Sequence, residues 1–170
     1  IGVREEDMPA VKPGFVLVKV FNSLISPGTE LGGWFQFKKD MENVDNSQPT
    51  SFGYSNSGVI MDTGEGVTGL KPGDRIACIG GGYAEHASYT LVPQNLCIKL
   101  PDGVSFAQGS YAMLAATALH GVRRGGPELG EYTAVVGLGI LGNLAGQMYQ
   151  LSGNYVIGWD MSQTRLDYAR

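Results

Sequence analysis

The chain has 170 residues, 43% of them hydrophobic and 16% charged, which is enough apolar material for a core and excludes a disordered chain. Its net charge of −4 offers no basic field for a phosphate backbone, and no segment interleaves Lys or Arg with aromatics, so a nucleic-acid partner is not expected. Twenty-six glycines spread over many turns point to short strands, and no apolar run of about 20 residues exists to span a bilayer.

Gly14 to Leu24 (GFVLVKVFNSL) reads as a half-buried strand, followed by the turn-rich crossing ISPGTELGG. The polar stretch KKDMENVDNSQPTS, with Lys38, Lys39, Asp40 and Glu42 as a solvated charge run, reads as an exposed loop. Trp34, Phe35 and Phe37 before it read as core or interface. Between Gly53 and Gly58, the polar residues Tyr54, Ser55 and Asn56 suggest a turn, since serine and asparagine bond to nearby backbone. SGVIMDTG, DRIACIG and ASYTLVP are three further strands, separated by GEGV, KPGD and GGGYAE, in the spacing of a small β barrel or sandwich. From Pro101 the texture is helical, with Asp102 or Ser105 as N-cap and Arg123 and Arg124 at the end of an alanine- and leucine-rich run. His120 in that run is expected to pack between domains. EYTAVVG, LGILGNLAGQMYQLSG, NYVIGWD and MSQTRLDYAR then give β-α-β-α, the opening of a doubly wound parallel sheet.

Gly137, Gly139 and Gly142 form G-L-G-I-L-G between a predicted strand and a predicted helix, with Ile140 and Leu141 in its first turn. The first glycine permits the tight turn, the second lets backbone approach a pyrophosphate, and the third allows close helix-to-strand packing. Unpaired N–H groups at the helix start favour an anion. Asp160, ending the next strand, is placed to accept bonds from the ribose hydroxyls and to repel a 2′-phosphate. That favours NAD(H) over NADP(H), while Ser162 and Arg165 leave the second open.

The order of these parts resembles the medium-chain dehydrogenase/reductase family, which sets a GroES-like β domain before a Rossmann domain and holds substrate between them. The resemblance is carried by VLVKVFNSLISPGTE, GYSNSGVI, KPGDRI, HASYTLVPQNLCIKLPDGVSF, ALHGVRR and VVGLGILGNLAG. It implies an α/β chain with a GroES-like domain over residues 1–103, linker helices over 104–130 and the incomplete start of a Rossmann domain over 131–170. Zinc-dependent members place a cysteine, a His-Glu pair and a second cysteine where this chain has Ser26, Tyr54 with Ser55, and a position near Met113. None is a good zinc ligand, and Cys78, Cys97, His86 and His120 lack ligand spacing. The ISPGTE and GYSNSG variants look like a zinc-free branch, similar to bacteriochlorophyllide-type and sugar-dehydrogenase-linked oxidoreductases.

The resemblance therefore implies a zinc-independent oxidoreductase passing hydride between NAD(P) and an alcohol or carbonyl. Tyr54 is the first candidate proton donor, with Ser26, Ser55 and Glu30 as substrate-orienting groups and His86 as a lesser candidate base. A quinone or enoyl reductase and a non-catalytic nucleotide-binding protein stand as alternatives. A small-molecule substrate, a cytoplasmic setting, no membrane and a homo-oligomer formed through further Rossmann sequence complete the expectation. Because the stretch from Tyr132 onward holds only the first β-α-β-α of such a fold, this chain alone is expected to show no robust turnover.

Overall fold

The computed structural model describes residues 2–30 and 52–170. The aromatic trio Trp34, Phe35 and Phe37 and the charge run Lys38, Lys39, Asp40 and Glu42 lie outside them. The chain divides into two compact units, residues 1–113 and 114–170.

The first unit is a five-stranded antiparallel sheet of β1 (Phe15–Ser23), β2 (Ser55–Thr63), β3 (Arg75–Ile79), β4 (Tyr89–Pro93) and β5 (Cys97–Lys99), in the order β4-β1-β2-β3-β5. Alternation along the strands puts Val16, Val18, Ile60, Ile76, Cys78 and Val92 into one core, joined by Ala84 from the turn before β4, with Val67, Leu70, Leu96 and Cys97 packed against it. β1 and β2 slip register between Leu17 and Val18 and between Val20 and Asn22, the irregularities that bend a strand. β5 carries no sequence signal, because three residues after a 3₁₀ turn are too few to show a period.

The polar knot of residues 54–57 is not a turn. Gly53, at φ +105°, makes the bend, and β2 begins at Ser55. The short helix α1 (Phe106–Gly109) is capped by Ser105, which accepts the Gln108 N–H while the Gln108 side chain accepts from Ser105 N–H, resolving the choice between Asp102 and Ser105.

In the second unit, α2 (Ala112–Gly125) buries Leu114, Ala118 and Val122, a stripe at four-residue spacing, and ends in Arg123 and Arg124. His120 is exposed on this helix. The unit boundary falls inside α2, within the stretch read as linker. β6 (Tyr132–Val136) and β7 (Tyr155–Trp159) pair in parallel, joined by α3 (Ile140–Leu151), and α4 (Gln163–Tyr168) follows. Tyr132, Val136, Tyr155, Ile157 and Trp159 on this two-stranded sheet are exposed, whereas parallel strands are normally covered on both faces.

Candidate functional site

The glycine turn of the second unit has the shape that a dinucleotide phosphate requires. Gly137 sits at φ +90° and its N–H donates to the Trp159 carbonyl at 2.6 Å, so the chain leaves β6 and turns at once into α3. A side chain built on Gly142 would drive into the Gly137 carbonyl, so only glycine lets α3 start this close to the strand end. One built on Gly139 would meet no atom of the described residues within 4 Å, leaving the backbone there open to approach on that side. Among the described residues no side chain caps the N-terminus of α3, whose first N–H groups, at Ile140 and Leu141, lie at the positive end of the helix dipole. These residues fit the phosphate of a nucleotide.

Asp160 closes the turn from the other side. Its Oδ2 accepts the Leu138 N–H at 2.7 Å and its Oδ1 the Ser162 N–H at 2.8 Å, while Arg165 Nη1 lies 3.4 Å from Oδ2. The Ser162 and Leu138 amides, with the Arg165 bond, hold the carboxyl below its ordinary range. A carboxylate has about four lone-pair sites, so capacity is left for a ribose hydroxyl. Because the folded-state pKa is depressed, this stabilisation is present above the ordinary carboxylate range and is lost as pH falls through the folded-state value. Thermal unfolding of wild type and Asp160→Asn, compared across an acid titration, is expected to differ at neutral pH and to converge in acid. A gap that stays constant down to the lowest pH would contradict this.

In the first unit, the residues matching the metal-ligand positions fall into two groups. Ser26 and Glu30 cap one another across the helical turn that begins at residue 27: the Ser26 N–H donates to Glu30 Oε1 at 3.1 Å, and Glu30 N–H to the Ser26 carbonyl at 2.8 Å. The Glu30 side chain is 4% exposed, and its Oε2 lies 3.1 Å from His86 Nε2. His86 Nδ1 in turn is 2.8 Å from Ser23 Oγ, and its N–H donates to the Phe52 carbonyl at 2.7 Å. A side chain on Gly53 would press against the His86 backbone and ring, so this glycine admits the histidine as well as the bend. The Glu30–His86 pair lies 56 residues apart in sequence, and no local pattern pointed to it.

The second group does something else. Ser55 is 1% exposed; its hydroxyl donates to the Ser110 carbonyl at 2.6 Å and accepts the Met113 N–H at 3.4 Å. Ser57 likewise donates to the Phe106 carbonyl at 2.5 Å. Both hydroxyls fasten the 105–113 segment to β2. Tyr54 is half-buried at the mouth of β2, its carbonyl accepting the Gly80 N–H at 2.9 Å. Ser55→Ala is therefore expected to lower stability by about 1–3 kcal/mol, the cost of leaving buried partners unpaired, without changing substrate affinity. Equilibrium denaturation beside a KM measurement checks it; a raised KM at unchanged stability would mean that Ser55 faces substrate.

As a zinc site these residues do not fit. Ser26, Tyr54, Ser55 and Met113 supply hydroxyls and a thioether where zinc takes thiolate, imidazole or carboxylate, and the Ser55 hydroxyl is already committed. Among the described residues no three of His, Cys, Asp and Glu gather in a metal-binding group, and no helix is long and apolar enough to cross a membrane.

Comparison with known proteins identifies the first unit. The model of the alcohol dehydrogenase GroES-like domain matches residues 12–102. A probable D-xylulose reductase A of Neosartorya fischeri is 30% identical over 72% of this chain and 42% of its own length. The sorbitol dehydrogenase of Homo sapiens is 29% identical over 99% of this chain and 55% of its own. Among solved structures, a putative zinc-binding dehydrogenase from Sinorhizobium meliloti 1021 bound to NADP superposes with a TM-score of 0.80 at 25% identity, over 98% of this chain and 54% of that one. The chain spans about half the length of the curated relatives it matches.

Proposed function

This chain belongs to the alcohol dehydrogenase GroES-like domain family, and from that premise we propose that it forms the substrate-side domain and nucleotide-binding turn of a nicotinamide-dependent oxidoreductase acting on an alcohol or its carbonyl. The observation that carries the reading is the Gly137–Gly142 turn, open at Gly139 and closed by Asp160. Bound nicotinamide supplies the hydride exchange. The first-turn amides of α3 would hold the pyrophosphate, and Asp160 the adenosine ribose. A carboxylate at Asp160 disfavours a 2′-phosphate, which supports NAD(H), although Arg165 beside it offers a cation to NADP(H).

The chemistry at the substrate oxygen is read as zinc-independent, because the donor set at the matching positions does not suit the metal. Tyr54 would donate the proton to a nascent alkoxide, and Ser26 would orient the substrate oxygen. Glu30 acts as a positioning residue: its side chain, buried and bonded to both Ser26 and His86, ties the Ser26 turn to the His86 segment. The names of the relatives favour a polyol, or the ketose derived from it, as the substrate class. A homo-oligomer formed through further strands on the exposed β6–β7 sheet, in the cytoplasm, completes the proposal.

The test is nicotinamide absorbance of the purified native protein with a panel of polyols, ketoses, quinones and enones, beside elemental analysis. Turnover of a polyol–ketose pair, without stoichiometric zinc, supports the reading. Tightly held zinc at one per chain defeats the zinc-free part of it. NADH consumption with quinones or enones alone would move the assignment to a quinone or enoyl reductase, and cofactor binding without any turnover to a non-catalytic nucleotide-binding protein.

A further inference from the structure

The chain's two cysteines, separated by a turn, a loop and a strand, meet across the sheet. Cys78 on β3 and Cys97 on β5 are direct partners, and their sulfurs lie 3.8 Å apart. The ladder defines the kind of pair they form. Leu100 N–H donates to the Arg75 carbonyl at 2.9 Å, which makes Arg75 and Leu100 a hydrogen-bonded pair. Counting inward through Ile76 with Lys99 and Ala77 with Ile98, alternation makes Cys78 and Cys97 a non-hydrogen-bonded pair. The Cys97 N–H agrees, being turned away to the Gln94 carbonyl. Such pairs have α-carbons about 4.5 Å apart with side chains converging, which lies within the roughly 4.4–6.8 Å that disulfides span.

We propose that Cys78 and Cys97 are a thiol–disulfide couple that a peroxide closes. The two sulfurs have unequal roles. Cys97 is partly exposed at the end of the sheet, where its thiol reaches the Pro93 carbonyl at 3.4 Å. Cys78 is fully buried among the core side chains, and its bond to Cys97 together with burial pushes its thiol well above the ordinary range. Cys97, as thiolate, attacks one oxygen of hydrogen peroxide; the O–O bond breaks, a sulfenic acid forms and hydroxide leaves, taking up the proton released by the thiol. The Cys78 sulfur then attacks the Cys97 sulfur, the S–OH bond breaks, and the departing hydroxyl leaves as water with the Cys78 proton. Two thiols have lost two electrons, and one peroxide has become two waters. The closed loop runs from β3 through His86 and β4 to β5, so oxidation would tether the three-residue edge strand and the segment bonded to Glu30.

The experiment is peroxide treatment of the folded chain, denaturation in an alkylating agent, and peptide mapping. Trypsin leaves both cysteines on the single peptide Ile76–Lys99, and a second cut after Glu85 separates them. The expected product takes up no alkylating agent, weighs two hydrogens less than the reduced peptide, keeps its halves joined after the second cut, and reverts with dithiothreitol. Oxygen added to Cys97 while Cys78 still alkylates, a link between two chains, or two unchanged thiols would each overturn the proposal. Because a Cys78 variant in the core can fail to fold, the companion variant is Cys97→Ser, in which Cys78 is expected to oxidise at least about tenfold more slowly. Oxidation of Cys78 at the wild-type rate in that variant would show that Cys97 is not the entry point.

Discussion

Gly142→Ala is expected to weaken binding of ADP-ribose, which carries the adenosine, ribose and pyrophosphate of the cofactor, by about two orders of magnitude or more. The added methyl has no free direction: it would overlap the Gly137 carbonyl oxygen and press on its carbon, both backbone atoms fixed by the β6-to-α3 turn. Relief requires α3 to withdraw, and the same movement pulls its uncapped N–H groups off the pyrophosphate and disturbs the Leu138 amide that Asp160 holds. About 2.7 kcal/mol of lost binding corresponds to that hundredfold change. Gly139→Ala is the informative contrast, because its methyl meets no atom of the described residues, so a loss there is expected from the ligand side. Calorimetric titration of both variants, with thermal unfolding as control, separates the outcomes. If Gly142→Ala bound ADP-ribose like wild type, the glycine turn would serve packing only and the nucleotide assignment would fall with it.

The same turn shows what made part of this molecule readable in its sequence. A strand end, three glycines and a helix start are adjacent in the chain, so their joint geometry follows from local spacing, and Asp160 needs only one further strand to reach them. The segment Gly53–Gly58 failed for the opposite reason. Its polar residues look like a turn because their partners are remote: Ser55 bonds at residue 110, Ser57 at residue 106, and Asn56 at residues 85 and 90. Of the two glycines that bracket it, only Gly53 serves a bend. Gly58 lies within β2, where a side chain would strike the Lys19 carbonyl of β1 beside the register slip at Val20. A glycine demanded by close approach of two strands and a glycine demanded by a positive φ are the same letter. Likewise the Glu30–His86 pair and the Cys78–Cys97 pair exist only once the sheet has brought together segments that are not neighbours in sequence.

Asn56→Asp is expected to destabilise the first unit by about 3–5 kcal/mol at neutral pH. Asn56 is fully buried; its amide nitrogen donates to the Glu85 carbonyl at 3.0 Å and lies 3.5 Å from Thr90 Oγ1. Its carbonyl oxygen is buried and has no hydrogen-bond partner among the described residues. Replacing the nitrogen by oxygen turns the one strong donor toward a carbonyl into an acceptor, and ionisation would then place a charge between oxygens in the core. The buried carboxyl escapes by staying protonated, when its O–H can again donate to the Glu85 carbonyl. Its folded-state pKa is thus raised, so the stability of the variant is fully present below the unfolded-state pKa and is lost as pH rises through the folded-state value. The sign is opposite to that of Asp160, whose contribution disappears on acidification, although both are aspartates on strand residues of one chain or next to them. Urea unfolding of the variant at neutral pH and near the carboxylate range should show the gap to wild type narrowing in acid. A gap independent of pH would mean that the lost amide bond, and not a buried charge, accounts for the whole cost, and Asn56→Leu, which lacks both donor and charge, then should match it.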